Sequence, residues 1–475
     1  MGKKWTIIGG GSVRAPFFAN SLAKRAKALH VSTLCLYDTD PEKLRIIGSI
    51  ARHAAHNIDP ELNVVLEADL TRAIADTDYF VTTIRVGGDH SRVVDEQIAQ
   101  KNGVLGQETT GAGGFFMAAR SIPVLAEYCE KIRELAPNAW IFNFTNPSGL
   151  VAQAMRTLGY DRVIGICDTP SSTKLRIAVD FDPGHVVYVW VDALSNYITA
   201  LGYDNDRFTL DFFGLNHLSW ARDAEYEGRH VMKDILSDEE LPKKVGELAM
   251  FEPDLIRLIG HIPNEYLYYY YYRDKTVGNI QKAGTTRGLS VEENNIRMLA
   301  ELKELDLEQE ADKAQEIYLR HMYSREASYM QIETSKKVMH TPEALVMPEG
   351  EGYAGIAMEF ASAIESGKSR SVVLSVPNNG SIEGLADSDV VEITCTVDQD
   401  GAHPVHIGKT APEIYSLIVS VKAYERLSVE AILNGSKDAA VKALIAHPLI
   451  GSYSVAKSLV EDFCQMQGQY VQHWR

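Results

Sequence analysis

Nowhere in this 475-residue chain does an apolar run approach the roughly 20 residues needed to cross a bilayer. The opening MGKKW leads into the short stretch TIIGGG and not into a signal-peptide core, so export is not expected. Cysteine is scarce: Cys35, Cys129, Cys167, Cys395 and Cys464 are an odd, scattered set without a CxxC pair. That excludes a disulfide framework and fits a reducing cytoplasm, where a cysteine that matters acts as a thiolate or a metal ligand. Positive charge is also short. The formal net charge of −17 makes nucleic acid and acidic membrane surfaces poor partners. An anionic substrate would have to be met by locally placed arginines or helix N-termini. Internal repeats, low-complexity linkers and metal-finger spacings are absent as well.

What is present is alternation. WTIIGG, STLCLYD, DYFVTTIRV, AWIFNFT and RVIGICD read as strands, and the segments between them carry helical apolar spacing. Strands that are apolar throughout, separated by helices, predict a parallel sheet covered on both faces. The length predicts more than one domain. The fold class expected is therefore α/β, with a Rossmann-like doubly wound parallel sheet over residues 1–196. A mixed α+β substrate domain is expected over 197–475. In the second part LDFFGLNHLSWARDAEYEG predicts antiparallel strands, and residues 290–330 predict a solvated helix or helix pair. Two terminal helices are expected from near Ala411 and Ser436.

GGGSVR, at the end of the first strand, lies where a dinucleotide's pyrophosphate would rest. Gly9 and Gly11 permit a tight turn and close backbone approach, and Ser12 and Arg14 lead into the helix N-terminus. Arg14 stands where the third glycine of GxGxxG is usual. Asp38, ending CLYD, is placed to accept ribose hydroxyls and to disfavour a 2′-phosphate, which points to NAD. The stretch VIGICDTP ends a strand with Cys167 and Asp168. By itself it reads equally as a buried thiol followed by a turn or cap residue.

Taken in order, RVGGDHSRVVDEQ, GVLGQETTGAGGFFMAARSIPVL, NFTNPSG, GICDTP, GLNHLSW and PNEYLYYYYY make nearly the whole chain resemble glycoside hydrolase family four. That family stands apart from two-carboxylate glycoside hydrolysis. The resemblance implies a cytoplasmic, NAD- and metal-dependent glycosidase, many relatives of which act on 6-phosphoglycosides. It implies Cys167 and His217 as the protein ligands of a divalent ion, typically manganese. It implies oxidation at sugar C3, deprotonation at C2 by Tyr266, expulsion of the C1 leaving group with Asp168 as general acid, addition of water, and return of the hydride. Tyr266 would need a nearby cation, the metal or Arg287, to lower its phenol pKa from about 10. Tyr268 to Tyr272 are expected to be packing aromatics.

For the substrate, a phosphorylated disaccharide or aryl glycoside, the resemblance implies Arg92, Asn146, Arg287 and Glu108. Arg85 either helps or pairs with Glu96 or Asp95. The glycines after Glu108 suggest a mobile loop closing over the sugar. A homodimer or homotetramer is the family expectation. Asp168 resembles 6-phospho-α-glucosidases, whereas ARSIPVL, GLNHLSW, DGAHPV and VKAYERLSVEA resemble 6-phospho-β-glucosidases, which are favoured. A member acting on unphosphorylated glycosides or uronides, a related 2-hydroxyacid dehydrogenase and a non-catalytic NAD-binding sensor stay open as alternatives. The stretch between the two metal motifs is longer than the family pattern suggests, which bears on the pocket wall.

Overall fold

Tyr79 to Thr82 are four consecutive buried residues, which a strand can accommodate only where helices cover both faces of its sheet. In the structure, a computed structural model describing residues 2–167, 169–170, 208–238, 246–336, 345–348 and 352–475, this strand lies in the interior of a nine-stranded sheet. Its parallel part comprises β1 (Lys3–Ile8), β2 (Val31–Tyr37), β3 (Asn63–Glu67) and β4 (Tyr79–Thr82). After the two-residue β5 (Gly106–Gln107) come β6 (Trp140–Asn143) and β7 (Val163–Gly165). The spatial order β3-β2-β1-β4-β6-β7 is the Rossmann order, and the reversal between β1 and β4 opens a crevice at the strands' carboxyl ends. The expected α/β architecture is thus observed.

The C-terminal strands divide between a second, four-stranded sheet and the first one. β8 (Phe208–Leu215) and β9 (Leu218–Tyr226) form a hairpin to which the short β10 (Arg229–His230) and β11 (Ile262–Pro263) add. β12 (Arg370–Pro377), β13 (Val390–Asp398) and β14 (Gly401–Pro404) instead continue the parallel sheet antiparallel beyond β7. The hairpin is pinned to this extension, where the Phe212 N–H donates to Thr394 Oγ1 at 2.9 Å. We propose that the residues before and after about 196 still act as cofactor and substrate parts, joined through this common sheet.

The charged tract forms a helix pair, Arg287–Lys303 and Ala311–Ala327. Its apolar stripe, including Met298, Leu302, Tyr318 and Met322, makes a second core with Ile46, Ile47 and Ile50 of the helix Pro41–His56. The C-terminus holds three helices, Pro412–Asn434, Lys437–Ala446 and Tyr453–Met466, one more than the apolar spacing suggested.

One expectation is corrected outright. The glycines after Glu108 are not a loop but the buried first turn of the helix Gly111–Leu135. A Cβ on Gly113 would lie 2.5 Å from the Gln107 carbonyl oxygen, and one on Gly114 would lie 2.9 Å from the Thr109 carbonyl carbon. These glycines serve close packing against the preceding turn. Among the described residues no helix is long and apolar enough to cross a membrane.

Candidate active site

A single cavity of about 1880 Å³ runs along the carboxyl ends of the parallel strands. β1 ends in the turn Gly9–Ser12, β2 in Asp38, β4 in Thr83–Arg85, β6 in Thr145–Asn146 and β7 in Ile166–Cys167, and all of these reach the cavity wall. Gly9 has φ +99°, and a Cβ there would lie 2.5 Å from the Thr83 carbonyl oxygen, so only glycine lets β1 turn this close to β4. Asp38 Oδ2 accepts the Gly11 N–H at 2.8 Å and its Oδ1 accepts the Asp40 N–H at 2.9 Å. Each carboxylate oxygen keeps a second lone pair for a ribose hydroxyl. Ser12 Oγ accepts the Arg14 N–H at 3.3 Å. Arg14 precedes the helix Ala15–Arg25 and donates from Nη1 to Glu326 Oε1 at 3.0 Å, tying the turn to the helix pair. The five residues expected at the cofactor therefore line one end of the cavity, and the glycine cradle fits a dinucleotide.

Cys167 and His217 are 50 positions apart in the chain, yet Cys167 Sγ lies 3.7 Å from His217 Nε2, with both side chains buried. His217 occupies the two-residue turn between β8 and β9, at φ +61°. Burial pushes its imidazolium down to about 4, so the ring is neutral near pH 7. Its Nδ1 is buried and has no hydrogen-bond partner among the described residues. A thiol and a neutral imidazole side by side on a cavity wall suit a divalent ion. Among the described residues no group of three His, Cys, Asp or Glu is poised for a metal.

The Tyr266 ring lies against the His217 ring, centroids 4.2 Å apart. Burial, followed by the neighbouring Glu265, holds its phenol well above the usual range. Arg287, one of the two activating cations suggested by the sequence, is engaged by neighbouring groups. Its Nη1 donates to Ser328 Oγ and its Nη2 to the Arg325 carbonyl, both at 2.6 Å. Of the following tyrosines, Tyr268 stacks on Tyr272 and Tyr271 accepts the Trp220 indole N–H, as expected of packing aromatics. Tyr269 is the exception, because it lines the cavity.

The arginines expected at the substrate do converge, but largely paired. Arg92 donates from Nε to Glu96 at 2.9 Å and lies 3.3 Å from Glu108 through Nη1. Arg85 pairs with Glu108 and, at 3.4 Å, with Asp89, not with Glu96 or Asp95. Asp95 is instead the bidentate partner of the fully buried Arg120, at 2.7 and 2.6 Å, locking the helix Gly88–Lys101 to the helix Gly111–Leu135. Burial opposes ionisation of Glu108, but Arg85 and Arg92 overcome it and hold the carboxylate far below its usual range. Asn146 lines the same wall. Asp168 lies outside the described residues.

Two cavity residues carry no role in the reading of the sequence. Glu265 stands inside the PNEYL motif, buried, and accepts the Thr169 hydroxyl at 3.1 Å. Arg325, in the last turn of the helix Ala311–Ala327, adds another guanidinium to the wall. Burial first, and then the nearby Arg14, Arg287 and Arg85, press it down to about 9. Nothing in its charged tract distinguishes it from its solvated neighbours.

Comparison with known proteins agrees with this geometry. Residues 4–182 match the family 4 glycosyl hydrolase model, and residues 212–450 match the family 4 glycosyl hydrolase C-terminal domain. A 6-phospho-beta-glucosidase of Thermotoga maritima is 30% identical, covering 98% of each chain. A phospho-alpha-glucosidase of Clostridium acetobutylicum is 27% identical over 98% of this chain and 99% of its own. A crystal structure of the T. maritima 6-phospho-beta glucosidase with manganese, NAD+ and glucose-6-phosphate superimposes with a TM-score of 0.76 at 28% identity, covering 99% of each chain. Two matched regions spanning most of the sequence, with a similarity that runs end to end, place the protein plainly: this chain belongs to the family 4 glycosyl hydrolases.

Proposed function

We propose that this chain hydrolyses 6-phosphoglucosides with NAD and a divalent metal, preferring β-linked substrates. The observation that carries the reading is the Cys167–His217 pair, 3.7 Å apart in the same cavity as the glycine turn. Gly9, Gly11, Ser12, Arg14 and Asp38 would hold NAD, and Cys167 and His217 would hold the metal, manganese by analogy with the T. maritima structure. When bound, the two supply a reversible hydride acceptor beside the sugar and a Lewis acid.

The chain's own residues then do three things. Arg92, Arg287 and Asn146 receive the phosphate and sugar, with Arg325 adding positive charge in an otherwise acidic protein. Glu108 holds Arg85 and Arg92 in place from the same wall. Tyr266, against His217, takes the proton from sugar C2, and Asp168 protonates the leaving oxygen. Because bond cleavage follows C2 deprotonation, the anomeric configuration matters less than in direct displacement. The β preference is supported by slightly higher identity to the β-named relative. The functioning protein is proposed to be a cytoplasmic homodimer or homotetramer.

The test is hydrolysis of nitrophenyl 6-phospho-β- and α-glucosides and of the unphosphorylated glucosides, with NAD, Mn2+ and a thiol reductant each omitted in turn. Turnover of the phosphorylated substrates is expected only with both NAD and metal. Activity surviving without either, or equal activity on free glucosides, overturns the proposal.

A further inference from the structure

Glu392 belongs to no motif and does not line the cavity, yet it is 1% exposed and its carboxylate closes a hydrogen-bond network around the site. It projects from β13, in the antiparallel extension of the sheet. Its Oε2 accepts the Asn216 side-chain amide at 2.7 Å and its Oε1 accepts the Ser219 hydroxyl at 2.8 Å. Those two residues bracket His217, in a turn whose left-handed backbone is uncommon for any residue but glycine. Asn216 Oδ1 also accepts the Gly149 N–H at 3.3 Å, anchoring the turn to the helix that starts after Asn146.

The network continues. The Asn264 N–H donates to the Ser219 carbonyl at 3.0 Å, and Asn264 Oδ1 accepts the Tyr266 N–H at 2.9 Å. Among the described residues no cation pairs with Glu392. A buried carboxylate whose partners there are the two residues bracketing His217 is costly to keep for stability alone.

We infer that Glu392 is a positioning residue that fixes the His217 turn and, through Ser219 and Asn264, the backbone of Tyr266, so that metal ligand and base are set by one anchor. The inference rests on the proposed role of Cys167 and His217. It also accounts for letters of GLNHLSW and PNEYL that do not line the cavity: Asn216, Ser219 and Asn264 are the network's other members.

The probe is Co2+, whose thiolate charge-transfer absorption reports Cys167 ligation without turnover. Wild type, Glu392→Gln, Glu392→Ala and the milder Ser219→Ala are titrated with Co2+, and kcat, KM and NAD affinity are measured separately. Glu392→Ala is expected to weaken Co2+ binding at least about tenfold, the range of outer-shell losses at metal sites. Glu392→Gln should be intermediate, with kcat falling more than KM rises and NAD affinity unchanged. Ser219→Ala, which removes one donor, should weaken Co2+ a few-fold and decides the matter should Glu392→Ala fail to fold. Co2+ binding within twofold of wild type in the folded variants overturns the inference while leaving the proposed function standing. Absence of the thiolate band in the wild-type protein overturns both.

Discussion

Replacing Gly9 by alanine tests the cofactor turn by geometry alone. At φ +99° an L-residue is strained, by roughly 1–2 kcal/mol in the left-handed region. The added Cβ would lie 2.5 Å from the Thr83 carbonyl oxygen and 2.8 Å from its carbon. The obstacle cannot swing aside, because it is backbone held on both sides. The Thr83 N–H donates to the Ile8 carbonyl at 2.9 Å, and the Ile84 N–H donates to Thr145 Oγ1 at 3.0 Å. Overpacking of this kind costs about 1–3 kcal/mol. Together the two amount to about 2–5 kcal/mol, shared between folding stability and dinucleotide binding. If the turn opens to relieve the clash, NAD affinity falls by at least about 30-fold, since each ~1.4 kcal/mol is tenfold. Isothermal titration with NAD, beside thermal unfolding of the free protein, measures both parts. Ser12→Ala, which adds no atom to the turn, should shift NAD affinity only a few-fold. A Gly9→Ala protein that binds NAD within threefold of wild type and unfolds at the same temperature would refute the reasoning.

Two further outcomes are expected. Cys167→Ser should stay folded, because the replacement is nearly isosteric, but lose the cobalt thiolate band and cut metal-dependent turnover on the order of 100-fold; a retained band would return Cys167 to the core. His447, fully buried, has its imidazolium pushed by burial down to about 3, while an unfolded histidine protonates near ~6.5. The unfolded state therefore binds the extra proton between those values, so stability falls as pH drops through that window, by up to ~1.4 kcal/mol per pH unit. Urea unfolding at pH 7 and pH 5 should show His447→Gln losing about 2 kcal/mol less than wild type between the two; equal losses would remove His447 from the account.

Much of the site is legible in the sequence because its residues stand in contiguous strings. The turn Gly9–Ser12, Asp38 at the end of its strand, Cys167 after VIGI and Tyr266 in PNEYL lie where a strand end or tight turn must place them. What cannot be read there involves partners far apart in the chain. The sequence leaves Arg85 either to help with substrate or to pair with Glu96 or Asp95, whereas the fold gives it Glu108 and Asp89 and reserves Asp95 for Arg120. Gly111 to Gly114 look like a hinge because glycine is a breaker locally. They open a helix instead, and Gly113 and Gly114 are glycine because the Gln107–Thr109 turn packs too closely for a Cβ.

The sequence by itself determined the alternation of strand and helix, the parallel half of the sheet, the dinucleotide turn and the family. Each rests on short-range periodicity or on residues adjacent in the chain. Only the tertiary structure decided that β12 joins β7 and extends the Rossmann sheet, that the end of a charged helix delivers Arg325 to the cavity, and that Glu392, one more letter in VVEITCTV, anchors the turns carrying His217 and Tyr266. A carboxylate or guanidinium has the same letter in solvent as in a core. Its role is set by which distant donors and charges the fold brings within hydrogen-bond reach.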